Sequence, residues 1–146
     1  MIETGGWDTH TAQEGRLARQ LKSLDSMVAA IRDGLGPIWA KTTIVVATEF
    51  GRTAATNGTG GTDHGTGATA IILGGDVNGG RVIADWPGLN NSALYEGRDL
   101  KPTINLTTLI ASISSASFNL DPAQVNKVLF SEASKTKTLE GLLRTS

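Results

Sequence analysis

The two histidines of the chain each lie beside an aspartate in a glycine-rich segment. Asp8 and His10 belong to GGWDTH, and Asp63 and His64 belong to GTDHG. Residues two apart on an extended segment project to the same side, so Asp8 and His10 could grip one ion. The adjacent Asp63 and His64 need a loop to aim both side chains inward, and the flanking glycines permit one. These four side chains are therefore candidate ligands of a divalent metal.

The ligand types restrict which metal such a site would hold. The chain has no cysteine, which excludes disulfides, thiolate metal sites and a cysteine nucleophile. Imidazole together with carboxylate favours Zn²⁺, and Mn²⁺, Fe or Mg²⁺ also suit this set. Simpler roles compete with the metal interpretation: Asp8 could cap the following segment, His10 could be a surface residue, and Asp63 could hydrogen-bond its own turn.

A third polar group, EFGRT, follows the apolar run TIVVAT. In open parallel sheets, ligands bind in the crevice at the carboxyl ends of the strands, which makes Glu49 and Arg52 candidate catalytic residues. Glu49 could be a metal ligand or a base, and Arg52 could clamp an oxyanion with its planar fork. A Glu49–Arg52 salt bridge that holds the loop explains the pair equally well. The aromatic neighbours Trp7 and Phe50 are expected to pack rather than to stack on a substrate.

The elements that must position these motifs show both helix and strand patterns. Apolar residues from Leu17 to Leu35 recur at spacings of four and three, which predicts a helix over 12–34 that stops at the glycines before Pro37. Residues 43–48, TIVVAT, are β-branched and almost continuously apolar. Such a run is typical of a central parallel strand that is covered on both faces.

The rest of the chain contains shorter patterns of the same kinds. They predict strands over 68–73 and 81–84. They also predict a helix from 103 or 105 to about 115 and a short helix that begins at Asp121-Pro122. The tail that follows is expected to be loose, with one apolar anchor over 139–143. Taken together, the patterns predict a three-layer α/β fold, with a mostly parallel sheet and flanking helices. Residues 1–146 are expected to form a single domain.

Charge and hydropathy argue against several classes of partner. Lys and Arg total 13 against 14 Asp and Glu, so the net charge of -1 gives no electrostatic reason to expect nucleic acid as a partner. No apolar run approaches the roughly 18 residues that a membrane span requires. We therefore expect no membrane span, and the sequence does not predict an oligomeric state.

The order GGWDTH, TEFGRT, NGTGGTDHG and ILGGDVNGG resembles the bacterial family called domain of unknown function 1501 (DUF1501), of the alkaline phosphatase and sulfatase superfamily. The similarity extends through WPGL and ALYEGRDLKPT to the C-terminal helices. The resemblance implies an alkaline-phosphatase-like fold, truncated here at its N-terminus. It also implies a longer parent protein with a twin-arginine export signal, located in the periplasm or secreted.

The resemblance assigns Asp8 and His10 to the superfamily's Asp–His pair for one metal. Two matches then compete for the adjacent Asp–His pair of the second metal. Either Asp63 and His64 represent it, or the dipeptide 49–50 occupies that place and His64 is the late histidine that shares the first metal. We favour the second match, because that dipeptide follows the apolar strand as the superfamily pair does.

One consequence of the favoured match is that the second metal site lacks a ligand. Phe50 cannot ligate, so a single metal is expected, with Arg52 replacing the charge of the other. The implied function is metal-dependent hydrolysis of phosphate or sulfate esters. The alternative is a non-catalytic, metal-stabilised binding protein of the bacterial cell envelope. Since the nucleophile is expected upstream, these residues alone are expected not to hydrolyse esters.

Overall fold

The structure is a computed structural model that describes residues 1–130 and 138–144. Its helices are α1 (Gln13–Leu35), a 3-10 helix (Gly36–Lys41), α2 (Leu106–Phe118) and α3 (Pro122–Leu129). Its strands are β1 (Ile44–Val46), β2 (Gly51–Arg52), β3 (His64–Gly65) and β4 (Ile71–Leu73). The strands form two antiparallel pairs, β1 with β4 and β2 with β3.

The chain divides into two compact units that interleave along the sequence. Unit 1 consists of Met1–Gly36, Thr48–Thr69 and Pro87–Pro102, and unit 2 of Pro37–Ala47, Ala70–Trp86 and Thr103–Ser146. All residues of GGWDTH, EFGRT and GTDHG belong to unit 1. The expectation that 1–146 form a single domain stays a prediction.

Helix α1 of unit 1 confirms the helix that the leucine spacing predicts, shifted by one residue. Its C-cap is Gly36, whose positive φ of 51° is a value that glycine tolerates, and the Gly36 N–H donates to the Arg32 carbonyl. At its start, the N–H groups of Ala12 and Gln13 donate to the carbonyls of Thr59 and Gly60, at 3.2 and 2.9 Å. None of its residues is fully buried.

Unit 2 contains the apolar core. Leu109 and Ile113 of α2 cluster with Leu142, and Val45 of β1 and Ile72 of β4 pack against them. Leu142 is only 3% exposed, which confirms the predicted late anchor. The part of the predicted tail at 131–137 lies outside the described residues.

Side-chain caps begin both helices of unit 2. The Asn105 side chain accepts from the Thr107 N–H at 2.9 Å, and the Asp121 side chain accepts from the Ala123 N–H at 2.7 Å. Pro122 occupies the first turn of α3, where its missing N–H costs nothing. Both predicted C-terminal helices are therefore confirmed.

The predicted three-layer, mostly parallel, alkaline-phosphatase-like sheet is wrong. The described residues form two small antiparallel sheets, and TIVVAT contributes only β1, with three half-buried residues. Its partner is the next apolar run, with Ile44 opposite Leu73 and Val46 opposite Ile71. The candidate strand 81–84 is irregular. A continuous apolar run indicates a strand but fixes neither the direction nor the number of its neighbours, which is why the prediction failed.

Among the described residues, none of the helices combines the length and apolarity that crossing a membrane would require.

Candidate metal centre

One carboxylate oxygen lies at the centre of the candidate site. Asp8 Oδ1 is 2.9 Å from His10 Nε2 and 2.8 Å from His64 Nε2. Each of the three residues offers a ligand atom, and these atoms lie within 4.8 Å of one another. The side chains are 55%, 43% and 50% exposed in the order Asp8, His10, His64, so the group faces solvent. The structure thus joins the two motifs in a group with the composition of a metal site.

The inward side chain between the first two ligands explains their common direction. Thr9 is 2% exposed, and its hydroxyl donates to Gln13 Oε1 at 3.1 Å. The same Gln13 oxygen accepts from the Thr62 N–H at 3.1 Å and from the Thr62 hydroxyl at 2.8 Å. With Thr9 turned inward, Asp8 and His10 share the solvent side, as strand alternation predicts.

A short antiparallel ladder places His64. In the β2–β3 pair, His64 is opposite Arg52 and Gly51 is opposite Gly65. A Cβ added at Gly65 would lie 2.6 Å from the Arg52 carbonyl carbon, and one added at Gly51 would lie 2.1 Å from the Gly67 carbonyl oxygen. The clustered glycines therefore allow backbones to approach more closely than any side chain permits.

The second ring nitrogen of His10 faces another carboxylate. His10 Nδ1 lies 3.1 Å from Asp63 Oδ1, which also accepts from Asn57 Nδ2 at 3.0 Å. The hydrogen bond from Asn57, followed by that from His10, holds the pKa of Asp63 below its usual value. Asp63 is thus adjacent to the ligand group without being one of its three members.

His64 is supported by an aromatic ring instead. Its imidazole stacks on Phe50, with centroids 4.2 Å apart and planes 14° from parallel. The Arg52 guanidinium carbon lies 4.8 Å from the centre of the same Phe50 ring. Among the described residues, no hydrogen-bond partner contacts His64 Nδ1. Phe50 therefore packs, as expected, but it packs on a candidate ligand.

Arg52 ties the two histidine motifs together. Its Nη1 donates to the Thr62 carbonyl at 2.8 Å, and its Nη2 donates to the Trp7 carbonyl at 2.7 Å and to Asp8 Oδ1 at 3.2 Å. The hydrogen bond from His64, with the charges of the imidazoles and Arg52, holds the pKa of Asp8 below its usual value. Arg52 thus pairs with Asp8, and the anticipated Glu49–Arg52 pair does not form among the described residues.

Glu49 is not brought into this group. Its side chain is exposed and makes no hydrogen bond or ion pair with the residues that the structure describes. A role for Glu49 as a ligand or base, and for Arg52 as an oxyanion clamp, stays a prediction. Sequence reasoning missed Asn57 and Gln13, and its only signals were an Asn-Gly turn and a glutamine four residues after Thr9.

A comparison with protein families identifies the family of the chain. The family model described as "Protein of unknown function (DUF1501)" matches residues 1–129, a range that includes the whole candidate centre. No curated protein and no solved structure is significantly similar to the chain. Because the matched range covers most of the sequence, the chain belongs to the DUF1501 family.

Proposed function

We propose that the chain binds one divalent cation through Asp8 Oδ1, His10 Nε2 and His64 Nε2. The observation that carries the proposal is the convergence of both imidazole Nε2 atoms on one carboxylate oxygen, at 2.9 and 2.8 Å. Two imidazoles with one carboxylate suit Zn²⁺, and the same set also serves non-haem Fe.

The spacing of the three atoms is compatible with an ion after a small adjustment. Ligand atoms bound tetrahedrally at about 2.0–2.1 Å from Zn²⁺ are about 3.3 Å apart. The two separations from Asp8 Oδ1, 2.9 and 2.8 Å, are shorter by roughly half an ångström, and all three ligand atoms lie within 4.8 Å of one another. Asp8 is 55% exposed, so its carboxylate is free to move by that amount.

The hydrogen bonding of His10 can place two acceptor atoms, His10 Nε2 and Asp8 Oδ1, next to each other, which favours a positive charge between them. If the proton of a neutral His10 is on Nδ1, facing Asp63, then Nε2 presents a lone pair to Asp8. A carboxylate only accepts hydrogen bonds, so two acceptors 2.9 Å apart repel unless a proton or a cation lies between them. A divalent ion satisfies both acceptors and His64 at once.

The chemistry we propose is hydrolysis of phosphate or sulfate esters. A bound divalent cation supplies Lewis-acid polarisation of an ester oxygen. Three protein ligands on an exposed surface leave a coordination position open, which is the pattern of catalytic rather than structural sites. Arg52 adds a fixed positive charge 3.2 Å from Asp8, which favours an anionic substrate. A periplasmic or secreted location is part of this proposal, on the strength of the sequence resemblance.

The alternative is a non-catalytic binding protein of the cell envelope in which the bound ion stabilises the loops that carry its ligands. The polar network of unit 1 favours it, because the ligand-bearing segments have short strands and depend on side-chain hydrogen bonds. A metal would then raise stability without any turnover.

The proposal is tested by titrating chelator-treated protein with Zn²⁺ and Mn²⁺ in a calorimeter. We expect one equivalent to bind. The variants Asp8→Asn, His10→Ala and His64→Ala should each weaken binding about 100-fold or more, beyond the 10–100-fold typical of losing an outer partner. Asp25→Asn, an exposed carboxylate of α1, is the charge-matched control and should bind as the wild type does. Absence of binding, or equal binding by Asp8→Asn, would rule the site out.

Assays on aryl phosphate and aryl sulfate separate the two functions when they use the metal-loaded longer parent protein that the sequence resemblance implies, because residues 1–146 alone are expected not to hydrolyse esters. Turnover that Asp8→Asn abolishes supports the hydrolase. Stoichiometric metal binding with a raised unfolding midpoint, but without turnover on either substrate, supports the non-catalytic alternative.

A further inference from the structure

The two candidate histidine ligands are supported in different ways. The far nitrogen of His10 is 3.1 Å from a carboxylate that Asn57 also binds. The far nitrogen of His64 has no partner among the described residues, and its ring instead rests on Phe50. The proton position of an imidazole is set by the partner of the nitrogen that does not bind the metal. When a cation occupies Nε2, the proton of His10 therefore lies on Nδ1 and faces Asp63, whereas the far nitrogen of His64 has no such acceptor among the described residues.

We propose that Asp63, held by Asn57, is a positioning residue that fixes His10 as the Nδ1–H tautomer and leaves its Nε2 lone pair directed at the cation. The inference rests on the metal site proposed above. It assigns Asp63 a place beside the ligands, where the sequence motif alone suggests a ligand.

Asn57 is bound at both ends of its amide, which makes it a rigid support. Its Nδ2 donates to the His10 carbonyl at 2.9 Å and to Asp63 Oδ1 at 3.0 Å. Its Oδ1 accepts from the Thr59 N–H, the Thr59 hydroxyl and the Gly61 N–H, at 3.0, 2.9 and 3.1 Å. Flipping the amide would set its NH₂ against two backbone donors, so these neighbours also fix its orientation.

The position of Asp63 makes it a poor ligand of the same ion. It contacts Nδ1 of His10, whereas the other two candidate ligands converge on the Nε2 side. A cation on Nε2 is therefore separated from Asp63 by the imidazole ring. An outer carboxylate that accepts from the second ring nitrogen is a recurrent support of metal-bound histidine.

The test is nuclear magnetic resonance of metal-free Asp8→Ala protein with isotope-labelled histidine, at a pH where both imidazoles are neutral. The Asp8→Ala substitution removes the carboxylate that otherwise lies 2.9 Å from His10 Nε2 and competes for the proton. The chain has only two histidines, so the spectrum contains two ring systems and His64 is an internal control. We expect the ring nitrogen shifts of His10 to report the Nδ1–H tautomer. When Asp63→Ala is added to this background, His10 should move to the tautomer mixture of free histidine. Asp63→Ala alone, in the otherwise wild-type chain, should weaken metal binding about 10–100-fold.

Asn57→Ala provides a second route to the same result, should Asp63→Ala fail to fold. It should shift the His10 tautomer in the same direction, with a smaller loss of metal affinity. Asn91→Ala, an exposed asparagine of unit 1 without such contacts, is the matched control and should change neither readout.

The outcomes separate this inference from the metal proposal. An unchanged His10 tautomer in Asp63→Ala overturns the inference, whatever happens to metal binding. If that unchanged tautomer accompanies a loss of affinity as large as in Asp8→Asn, Asp63 is a ligand. A tautomer shift in a protein that binds no metal upholds the positioning of His10 and overturns the metal site alone.

Discussion

Among the described residues, the buried apolar side chains all belong to unit 2, which also buries the polar residues Thr108, Ser112 and Ser115. In unit 1 the buried side chains are polar: Thr9, Thr62 and Asp99 are 2%, 7% and 4% exposed. In unit 2 the core cluster is apolar and consists of Leu109, Ile113 and Leu142. The candidate ligands all belong to the polar unit.

The difference teaches what each kind of interaction can specify. Burial of apolar area is non-directional, so it stabilises unit 2 without fixing any atom to a particular point. Hydrogen bonds depend on distance and angle, so the contacts of Arg52, Gln13 and Asn57 can aim the ligands of unit 1. Each such bond contributes only about 0.5–1.5 kcal/mol net, so a site built from them is well oriented but weakly held.

Removing a core side chain of unit 2 should have the largest effect on stability. Leu109→Ala is expected to lower the free energy of unfolding by about 2–3 kcal/mol, at the low end for such truncations because the hydrophobic residues packed against the cluster are only partly buried. Urea denaturation followed by circular dichroism measures the change. Val128→Ala, at a position 81% exposed, is the control and should cost far less. Equal losses in the two variants would mean that unit 2 has no effective core.

Adding one methyl group to unit 1 should have a smaller effect on stability but a visible effect on the site. A Cβ at Gly61 would lie 2.2 Å from the His10 carbonyl, so the loop must shift. Because it overpacks the loop, Gly61→Ala is expected to lower the free energy of unfolding by about 2 kcal/mol. It should also weaken metal binding, which calorimetry measures. Gly58→Ala is the matched control from the same loop, because nothing lies within 4 Å of its added Cβ. Wild-type affinity in Gly61→Ala would show that the loop does not position His10.

Acid should produce the smallest effect and should act on unit 1. Asp99 accepts from the Thr66 hydroxyl at 2.8 Å and pairs with Arg98 Nε at 2.8 Å, and these contacts lower its pKa. A lowered pKa means that the stabilisation is present above the unfolded value of about 3.9 and is lost as the pH falls through the folded value. The Asp8 and Asp63 pKa values are lowered as well.

Hydrogen exchange of the metal-free protein, followed from neutral pH downward, checks this. Protection in unit 1 should fall before protection in unit 2, after correction for the intrinsic pH dependence of exchange. Asp99→Asn should flatten the acid limb of stability, whereas Asp85→Asn, an exposed carboxylate of unit 2, should not. Simultaneous loss of protection in both units would contradict the contrast between them.

Local patterns in the sequence predicted the helices and indicated the residues Asp8, His10 and His64, which the structure brings together. The spacing of the α1 leucines, the Asp121-Pro122 start of α3 and the alternation of Asp8 with His10 all depend on neighbouring residues. The direction in which strands pair does not depend on neighbouring residues, because nothing within TIVVAT indicates which strand it pairs with. The sheet prediction therefore failed.

The support of the ligands was equally hidden from the sequence. Asn57 contacts Asp63 and the His10 carbonyl because a turn brings them together, and an Asn-Gly dipeptide indicates only the turn. A motif search can thus identify residues of a suitable type. It cannot distinguish a candidate ligand from a residue that, as we propose for Asp63, orients one.

With Arg52 in its salt bridge to Asp8, the sign of the net charge of the centre depends on whether a divalent ion is bound. With neutral imidazoles, Arg52 offsets only one of the carboxylates Asp8 and Asp63, so the metal-free cluster carries net negative charge and attracts cations. A divalent ion would make the same cluster net positive. Anions would then be repelled before the ion binds and attracted after it, so we predict that the metal binds first and an anion second.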